Sequence, residues 1–395
     1  MKSIAFITDA EGNLEWFVHH QIIACFRITC LTLFRFLRCV RLSPVLSLSD
    51  DESQLRLRED AMFVYGGNVA DKANGGIRIA QMLLQLKRER PADVHIIAGT
   101  RDVTTLCRLR HDLTDSALAA LPPLPPGGRG KSCREYLVDL VLQEGGAGSA
   151  ADVSDDAVAA VNTKTNRLRW LLDCAVNAPG AFEFRRQEIS LMSGQGADSV
   201  SDDDVLQSYI SSVGDGDLAW LSAYVQAACL VFTADCTLFT HGGIYGYFEG
   251  DGSAECTSCI DVLPFANHGQ HSPSISVSEW ATSLNDWFRQ QIEASAIVGD
   301  GDGDGLPLLS YASHPPACPS VLTIRMSRES GAPLPPPVDV TRTLNAAGIT
   351  RIVAGGSAQG HGPSVWSTSC LEVGAPLCIS LCHLVIFCCY CTLVA

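Results

Sequence analysis

The sequence has little charge, and basic residues are the scarcer sign. Charged residues make up 18% of the 395 positions, with 28 Lys and Arg against 43 Asp and Glu, so the formal net charge is −15. A chain with so few cations lacks the clustered basic surface that nucleic-acid phosphates or an anionic membrane would require. We therefore expect no nucleic-acid partner, whereas a hydrophobic content of 47% is sufficient for a large core.

Two segments look like metal-binding loops but lack an essential part. Cys256 and Cys259 form one CxxC pair, and no second pair follows at the spacing of a zinc ribbon. The acidic run 299–305 has Tyr311 at the twelfth position counted from Asp300, where a calcium loop needs a bidentate carboxylate. We expect no zinc site at the first segment and a solvated acidic loop at the second.

A secretory signal is also missing, because the first residues lead straight into a strand-like run, "IAFIT". Cysteine, in contrast, is plentiful and odd in number, at 17. Together these features predict a reducing, cytoplasmic compartment in which the thiols stay free.

Two segments differ in composition from the rest of the chain. Residues 21–47 contain no acidic residue and no glycine, and we interpret 21–53 as an atypical insert rich in arginine and cysteine. The tail 371–395 ends in 19 mostly apolar residues, Leu377 to Ala395, about the length of a bilayer span. That tail is a membrane anchor, a buried strand pair, or sequence foreign to the fold. We expect both segments to contribute little to the core.

Short apolar runs that end in polar or glycine-rich residues recur along the chain. They are followed by polar positions at Asp9, Asn68, Thr100, His241 and around Gly355. Amphipathic helical patterns lie between them, at 75–90, from Ser201 onward and from Ser278 onward. Strands that alternate with helices predict an α/β fold, in which ligands bind beyond the carboxyl ends of the strands. A loop-rich insertion is expected at 121–165.

The polar strand ends carry motifs in a recognisable order. They read "DAEGN" at Asp9, "GGNVADKANG" at Gly66, "GTRD" at Gly99, "HGG" at His241 and "GGSAQGHGP" at Gly355. In this order the chain resembles the calcineurin-like metallophosphoesterases, and it is most similar to their protozoan-type branch, with D-x-E-G-N and G-N-R-D motifs. The resemblance covers roughly residues 1–18 and 60–370. It implies a domain over 1–370 with a four-layer αββα sandwich, in which helices flank two mixed β-sheets.

The resemblance also implies a metal site, with several substitutions. Asp9 and His241 match ligands of the family, and Glu11 stands where a histidine is usual. Asn68 replaces the aspartate that bridges two ions. Thr100 and Gly356 replace two further ligands, and His361 is a candidate substitute ligand. An amide lacks the negative charge that lets two cations lie close together, so we expect at most one Mn, Fe or Zn ion.

The remaining expected site residues come from the same motifs. Arg101 falls at the position of the proton-donating histidine, Asp102 follows it, and Asp71 is expected to face Arg101. Arg101, Asn13 and Lys72 are expected to contact a phosphorylated small molecule or phosphoprotein.

Three hypotheses remain open from the sequence. The first is a metal-dependent phosphoester hydrolase with an impaired or single-metal site. The second is a pseudophosphatase that uses the same fold for binding or scaffolding. The third is a degraded or misassembled sequence, which the insert and the tail suggest.

Overall fold

The structure is a computed structural model that describes residues 2–10, 31–125, 127–145, 148–249, 254–260, 276–296, 307–313, 319–326, 334, 336–356, 364–369 and 376–381. Its strands are Ser3–Ile7 (β1), Leu46–Leu48 (β2), Leu55–Leu57 (β3), Ala61–Tyr65 (β4), Val94–Ile97 (β5), Ala228–Cys229 (β6), Val231–Ala234 (β7), Thr237–Thr240 (β8), Tyr245–Glu249 (β9), Ala254–Ser258 (β10), Arg351–Ala354 (β11), Ser364–Ser369 (β12) and Pro376–Leu381 (β13). Its α-helices are Leu31–Leu42 (α1), Gly76–Glu89 (α2), Thr100–Asp112 (α3), Asp115–Leu118 (α4), Cys133–Gln143 (α5), Asp155–Val161 (α6), Lys164–Trp170 (α7), Ala181–Ser193 (α8), Asp202–Val213 (α9), Trp220–Gln226 (α10), Val277–Ala296 (α11), Pro307–Ala312 (α12) and Val338–Ala346 (α13). Shorter turns are 3₁₀-helical at Ala150–Asp152 and Ala197–Ser199 and π-helical at Leu171–Ala175.

The larger strands form two sheets. The first has the order β1-β4-β5-β6, and all of its neighbouring strands are parallel. The second has the order β12-β13-β11-β8-β7, in which β13, β11 and β8 are parallel and the two edge strands run antiparallel. The pairs β2-β3 and β9-β10 form separate hairpin-like sheets. The predicted α/β class is confirmed, and five apolar runs of the sequence are strands.

An apolar cluster joins one face of the first sheet to the second sheet. Its buried members are Ile4, Phe6, Val64, Ile97, Phe239 and Val353. Phe6 of β1 stacks on Phe239 of β8 with ring centroids 5.9 Å apart, whereas Ala5 and Ile7 belong to the main core instead. This alternation follows from the two-residue period of a strand. The four-layer order of the complete fold stays a prediction.

The helical patterns of the sequence are confirmed where they were clearest. The predicted helix at 75–90 is α2, with Ile79, Leu83 and Leu86 buried on one face. Helix α9 begins after Ser201, whose hydroxyl accepts a hydrogen bond from the Asp204 amide. Such caps satisfy backbone donors that a helix leaves unpaired at its first turn.

The interpretation of 121–165 as loop-rich underestimates its helical content. The segment contains α5, α6 and the beginning of α7. Leu137, Val141 and Val158 are buried there, so an apolar helical face holds the segment against the core. The proline- and glycine-rich run at 121–130 predicts a loop, and that prediction was extended too far along the chain, over the helices that follow it.

The expectation that the arginine-rich insert contributes little to the core is wrong for its described part, residues 31–53. Phe36 and Val40 of α1 are fully buried. The ring of Phe36 meets the ring of Tyr65 edge-on, with 6.2 Å between centroids. Strand β2 pairs with β3. The spacing of Phe36 and Val40 places them on one helical face, which explains how a basic segment still packs.

Residues 376–381 of the tail form a strand, and the expectation that the tail contributes little to the core stays a prediction. Strand β13 lies inside the second sheet, antiparallel to β12 and parallel to β11. Of the three interpretations of the tail, a strand therefore applies to this part, and residues 382–395 lie outside the described residues. Among the helices that the structure describes, none combines the length and apolar character needed to cross a bilayer.

His95 on β5 is expected to make stability depend on pH. Burial, and next the nearby Lys87 ammonium, lower the pKa of His95 from 6.5 to about 4. Between these two values the unfolded chain binds a proton that the folded chain does not, so stability is lost as the pH falls from 6.5 towards 4. The ring stacks on Phe232 with 3.6 Å between centroids, and phenylalanine would preserve that contact.

We therefore expect His95→Phe to gain stability relative to the unsubstituted protein as the pH falls from 7 to 4.5. The gain should be about 1–2 kcal/mol, below the full linkage value because the ring is partly exposed to solvent. Urea unfolding at several pH values measures it. If the free energies of unfolding of the two proteins change with pH in parallel, folding does not lower the pKa of His95 and the prediction fails.

Candidate functional site

Polar residues from both sheets meet where their parallel strands end. Asp9 follows β1, Asn68 follows β4, His241 follows β8 and Gly356 follows β11. Hydrogen bonds connect all four, and the side chains of Asp9, Asn68 and His241 are buried. The carboxyl ends of parallel strands lie at one edge of a sheet, so two facing sheets bring these residues together.

The side-chain amide of Asn68 is the centre of this cluster. Its Nδ2 donates to Asp9 Oδ1 at 2.8 Å and to His241 Nε2 at 3.2 Å. Its Oδ1 accepts from the Arg101 backbone N–H at 3.0 Å. A reversed amide would turn Nδ2 towards the Arg101 N–H, donor against donor. The three neighbours therefore fix the orientation of the amide.

His241 accepts this bond because its other ring nitrogen is a donor. His241 Nδ1 lies 2.7 Å from the backbone carbonyl oxygen of Gly66, which can only accept. The ring is therefore the neutral tautomer with its proton on Nδ1 and a lone pair on Nε2. A lone pair on Nε2 suits either an N–H donor or a metal ion.

The Asp9 carboxylate is held by donors from three directions. Besides Asn68, the Thr8 hydroxyl donates to Oδ2 at 2.7 Å and the Gly356 backbone N–H donates to Oδ2 at 2.9 Å. Asp9 and Asn68 both have positive φ angles, 46° and 55°. Aspartate and asparagine tolerate this backbone region better than most residues.

Asp102, a predicted catalytic residue, forms hydrogen bonds with backbone N–H groups of the site. Its carboxylate accepts from the N–H groups of Gly99, Asn68 and Val69 at 2.8, 2.8 and 2.9 Å. Burial raises the pKa of Asp102 to about 6, although these three bonds oppose the rise. Asp102 is only 3% exposed, and its three hydrogen bonds hold the backbone of the Asn68 loop against the start of α3.

Thr100, Arg101 and Lys72 are the other predicted site residues at this edge. Thr100, at the position of an expected ligand, directs its hydroxyl to the Leu322 carbonyl at 2.7 Å. Arg101 and Lys72 are half-buried, and the Arg101 backbone N–H donates to Asn68 Oδ1. The Thr100 hydroxyl is thus engaged in holding the 319–326 segment.

The predicted contact between Asp71 and Arg101 is wrong. Asp71 accepts from Thr105 Oγ1 at 2.9 Å and from the Tyr209 hydroxyl at 3.3 Å, and its charged partner is Arg185 at 3.9 Å. Asp71 has a φ angle of 78°. The partners of its carboxylate therefore lie on α3, α8 and α9, and the charged partner is Arg185 in place of Arg101.

Gly356 fits its position only because it has no side chain. Its φ angle is +66°, and a Cβ there would lie 3.0 Å from the His241 carbonyl oxygen and 3.1 Å from His241 Nε2. A histidine at this position, which the resemblance would lead one to expect, would be strained and would crowd the ring of His241.

These residues do not fit a two-metal centre. Such a centre has a shared ligand between two ions about 4 Å apart, whereas Asn68 points two N–H bonds at Asp9 and His241. No group of three or more His, Cys, Asp or Glu side chains in the described residues could hold a metal ion. Glu11, Asn13 and His361 lie outside the described residues, so a single ion at Asp9, Glu11 and His241 stays a prediction.

Sequence reasoning assigned no role to two residues of this edge. The Thr8 hydroxyl, which donates to Asp9 Oδ2 at 2.7 Å, also lies 3.1 Å from the carbonyl oxygen of Gly66. Gly99 lets the Asn68 loop approach β5, because a Cβ there would lie 2.3 Å from Asn68 N. Thr8 directly precedes the motif at Asp9, and Gly99 is the first residue of the motif at 99–102, which was the available signal.

Comparison with known proteins gives only remote structural neighbours. No family model and no curated protein matches the chain. A crystal structure of a cold-active protein-tyrosine phosphatase of a psychrophile, Shewanella sp., matches with 12% identity and a TM-score of 0.37, over 97% of this chain and 71% of that one. A 1.1 Å structure of a cold-active protein tyrosine phosphatase gives 12% and 0.38, over 97% and 69%. Similarity at this level establishes neither family nor activity.

Proposed function

We propose that the chain is a calcineurin-like metallophosphoesterase by descent and a pseudophosphatase in function, which binds phosphorylated ligands without two-metal hydrolysis. The observation that carries this proposal is the Asn68 amide between Asp9 and His241. An ion at that point would face N–H bonds where it needs oxygen lone pairs. The order of the motifs along the chain supports the family, and the donor chemistry supports the loss of its metals.

A weak single-metal hydrolase is the second candidate. Asp9 and His241, two of its three predicted ligands, both contact the same amide nitrogen. With Glu11 as the third ligand, one Mn, Fe or Zn ion would polarise a phosphoryl oxygen. Reorientation of Asn68 would be required, at the cost of its bond to the Arg101 amide.

Metal content and turnover distinguish the two candidates. For the purified full-length protein we expect well below one transition-metal ion per chain by elemental analysis, and hydrolysis of p-nitrophenyl phosphate near background with added MnCl₂. Asp9→Ala should change neither value. Robust Mn-dependent turnover that Asp9→Ala abolishes would overturn the pseudophosphatase and support the hydrolase.

The pseudophosphatase proposal also requires that the protein binds a phosphorylated ligand. Arg101 is half-buried and bonds Asn68 through its backbone N–H, and its guanidinium has the fork of donors that can bind a phosphoryl group in a bidentate way. Arg101→Ala should weaken the binding of a phosphoserine peptide about tenfold in calorimetric titration. Arg289→Ala, a change at a side chain that is 61% exposed, is the control and should leave the affinity unchanged.

A further inference from the structure

The cluster at the strand ends joins the two sheets through hydrogen bonds. Asn68 of the first sheet donates to His241 of the second, and the Gly356 N–H of the second donates to Asp9 of the first. The His241 ring donates in turn to Gly66 at the end of β4. Three bonds therefore cross between the sheets at a point where the side chains of Asp9 and His241 are 1% and 2% exposed.

We propose that the Asn68 amide takes the place of a metal ion as the cross-link between the two sheets, so that the fold is stable without metal. A cation between a carboxylate and a histidine satisfies the lone pairs of both groups. The two protons on Asn68 Nδ2 do the same for Asp9 Oδ1 and His241 Nε2, at 2.8 and 3.2 Å. The inference goes beyond the proposed function, because it concerns how the fold is held together and not which ligand it binds.

The same geometry makes the cluster one substitution away from a cation site. Aspartate at position 68 would remove both protons and bring a second carboxylate against Asp9. Metal–oxygen and metal–nitrogen bonds in zinc sites are about 2.0–2.2 Å long. The new carboxylate oxygen would take the present Nδ2 position, 2.8 Å from Asp9 Oδ1 and 3.2 Å from His241 Nε2, and these separations are close to the ~3.4 Å between two ligands of one tetrahedral ion. The introduced carboxylate would supply the third ligand.

Thermal unfolding of the full-length protein tests the inference. We expect the melting temperature of the unsubstituted protein to be the same within about 1 °C in EDTA, in MnCl₂ and in ZnCl₂. Asn68→Asp should melt about 5 °C lower in EDTA, because two buried carboxylates repel each other. Mn²⁺ or Zn²⁺ should restore at least half of that loss.

Asn285→Asp provides a matched control. The Asn285 amide also bridges backbone groups, since Nδ2 donates to the Val231 carbonyl and Oδ1 accepts from the Leu230 and Val231 amides. The same chemical change there should lower the melting temperature, and metal should not restore it. Asn68→Leu, which removes the donors without adding a ligand, should likewise melt lower with no response to metal.

Two results would overturn the inference. One is a fall in the melting temperature of the unsubstituted protein on addition of EDTA, and the other is an Asn68→Asp variant that metal does not stabilise. If Asn68→Asp does not fold in EDTA, the yield of refolded protein with and without Mn²⁺ replaces the melting temperature, and we expect a higher yield with Mn²⁺. Mn-dependent turnover by the unsubstituted protein would overturn the proposed function, whereas these melting temperatures test the cross-link alone.

Discussion

Replacing Arg185 by alanine is expected to lower the free energy of unfolding by about 3–5 kcal/mol. Arg185 is 4% exposed and lies 3.9 Å from the Asp71 carboxylate. Burial raises the pKa of Glu188, and the Arg185 charge is the chief opposing influence. Arg185 also lies over the ring of Tyr209, 3.9 Å from its centroid. The alanine variant would leave two buried carboxylates without this cation.

Denaturant unfolding of Arg185→Ala beside Arg289→Ala measures this effect. Arg289 is exposed and pairs with Asp286 one helical turn away, so its loss should cost less than about 0.5 kcal/mol. The large effect should also depend on pH. Without Arg185 the folded-state pKa of Glu188 rises further, so the folded variant binds protons more readily and its deficit shrinks as the pH falls. Equal losses for the two variants would show that the buried network is not coupled to stability.

Gly99→Ala is expected to destabilise the protein by about 3 kcal/mol through a steric clash. The backbone itself permits alanine, because φ is −92° and ψ is 159°. The added Cβ would lie 2.3 Å from Asn68 N and 2.4 Å from Asn68 Oδ1. Asn68 cannot retreat without breaking its bonds to Asp102, Asp9 and His241.

Gly196→Ala is the control for this prediction. Its φ angle is −66°, and no atom lies within 4 Å of the position of an added Cβ. Alanine there should leave stability unchanged or raise it by about 0.5 kcal/mol, because it restricts the unfolded chain. Thermal and denaturant unfolding of the two variants gives the comparison. A Gly99→Ala protein as stable as Gly196→Ala would mean that the Asn68 loop is free to move.

Much of the fold could be predicted from local sequence. The runs at β1, β4, β5, β8 and β11 are short, apolar and bounded by glycine or polar residues, which is sufficient to define buried strands. Helices α2 and α9 are equally local, because each depends on a periodic apolar face and, in α9, on the Ser201 cap. The meeting of Asp9, Asn68 and His241 followed from the resemblance, which supplied the order of strand ends.

The sequence by itself determined which residues stand at the ends of the strands, and therefore that an amide stands where the resemblance would place a bridging carboxylate. Only the tertiary structure decided what each of them contacts. Asn68 and His241 are 173 positions apart, and Gly356 and Asp9 are 347 apart. Asp71 pairs with Arg185, and β13 enters the second sheet from a tail that looked foreign. Local propensity carries no information about such long-range pairings, because they form only when separate strands and helices pack together.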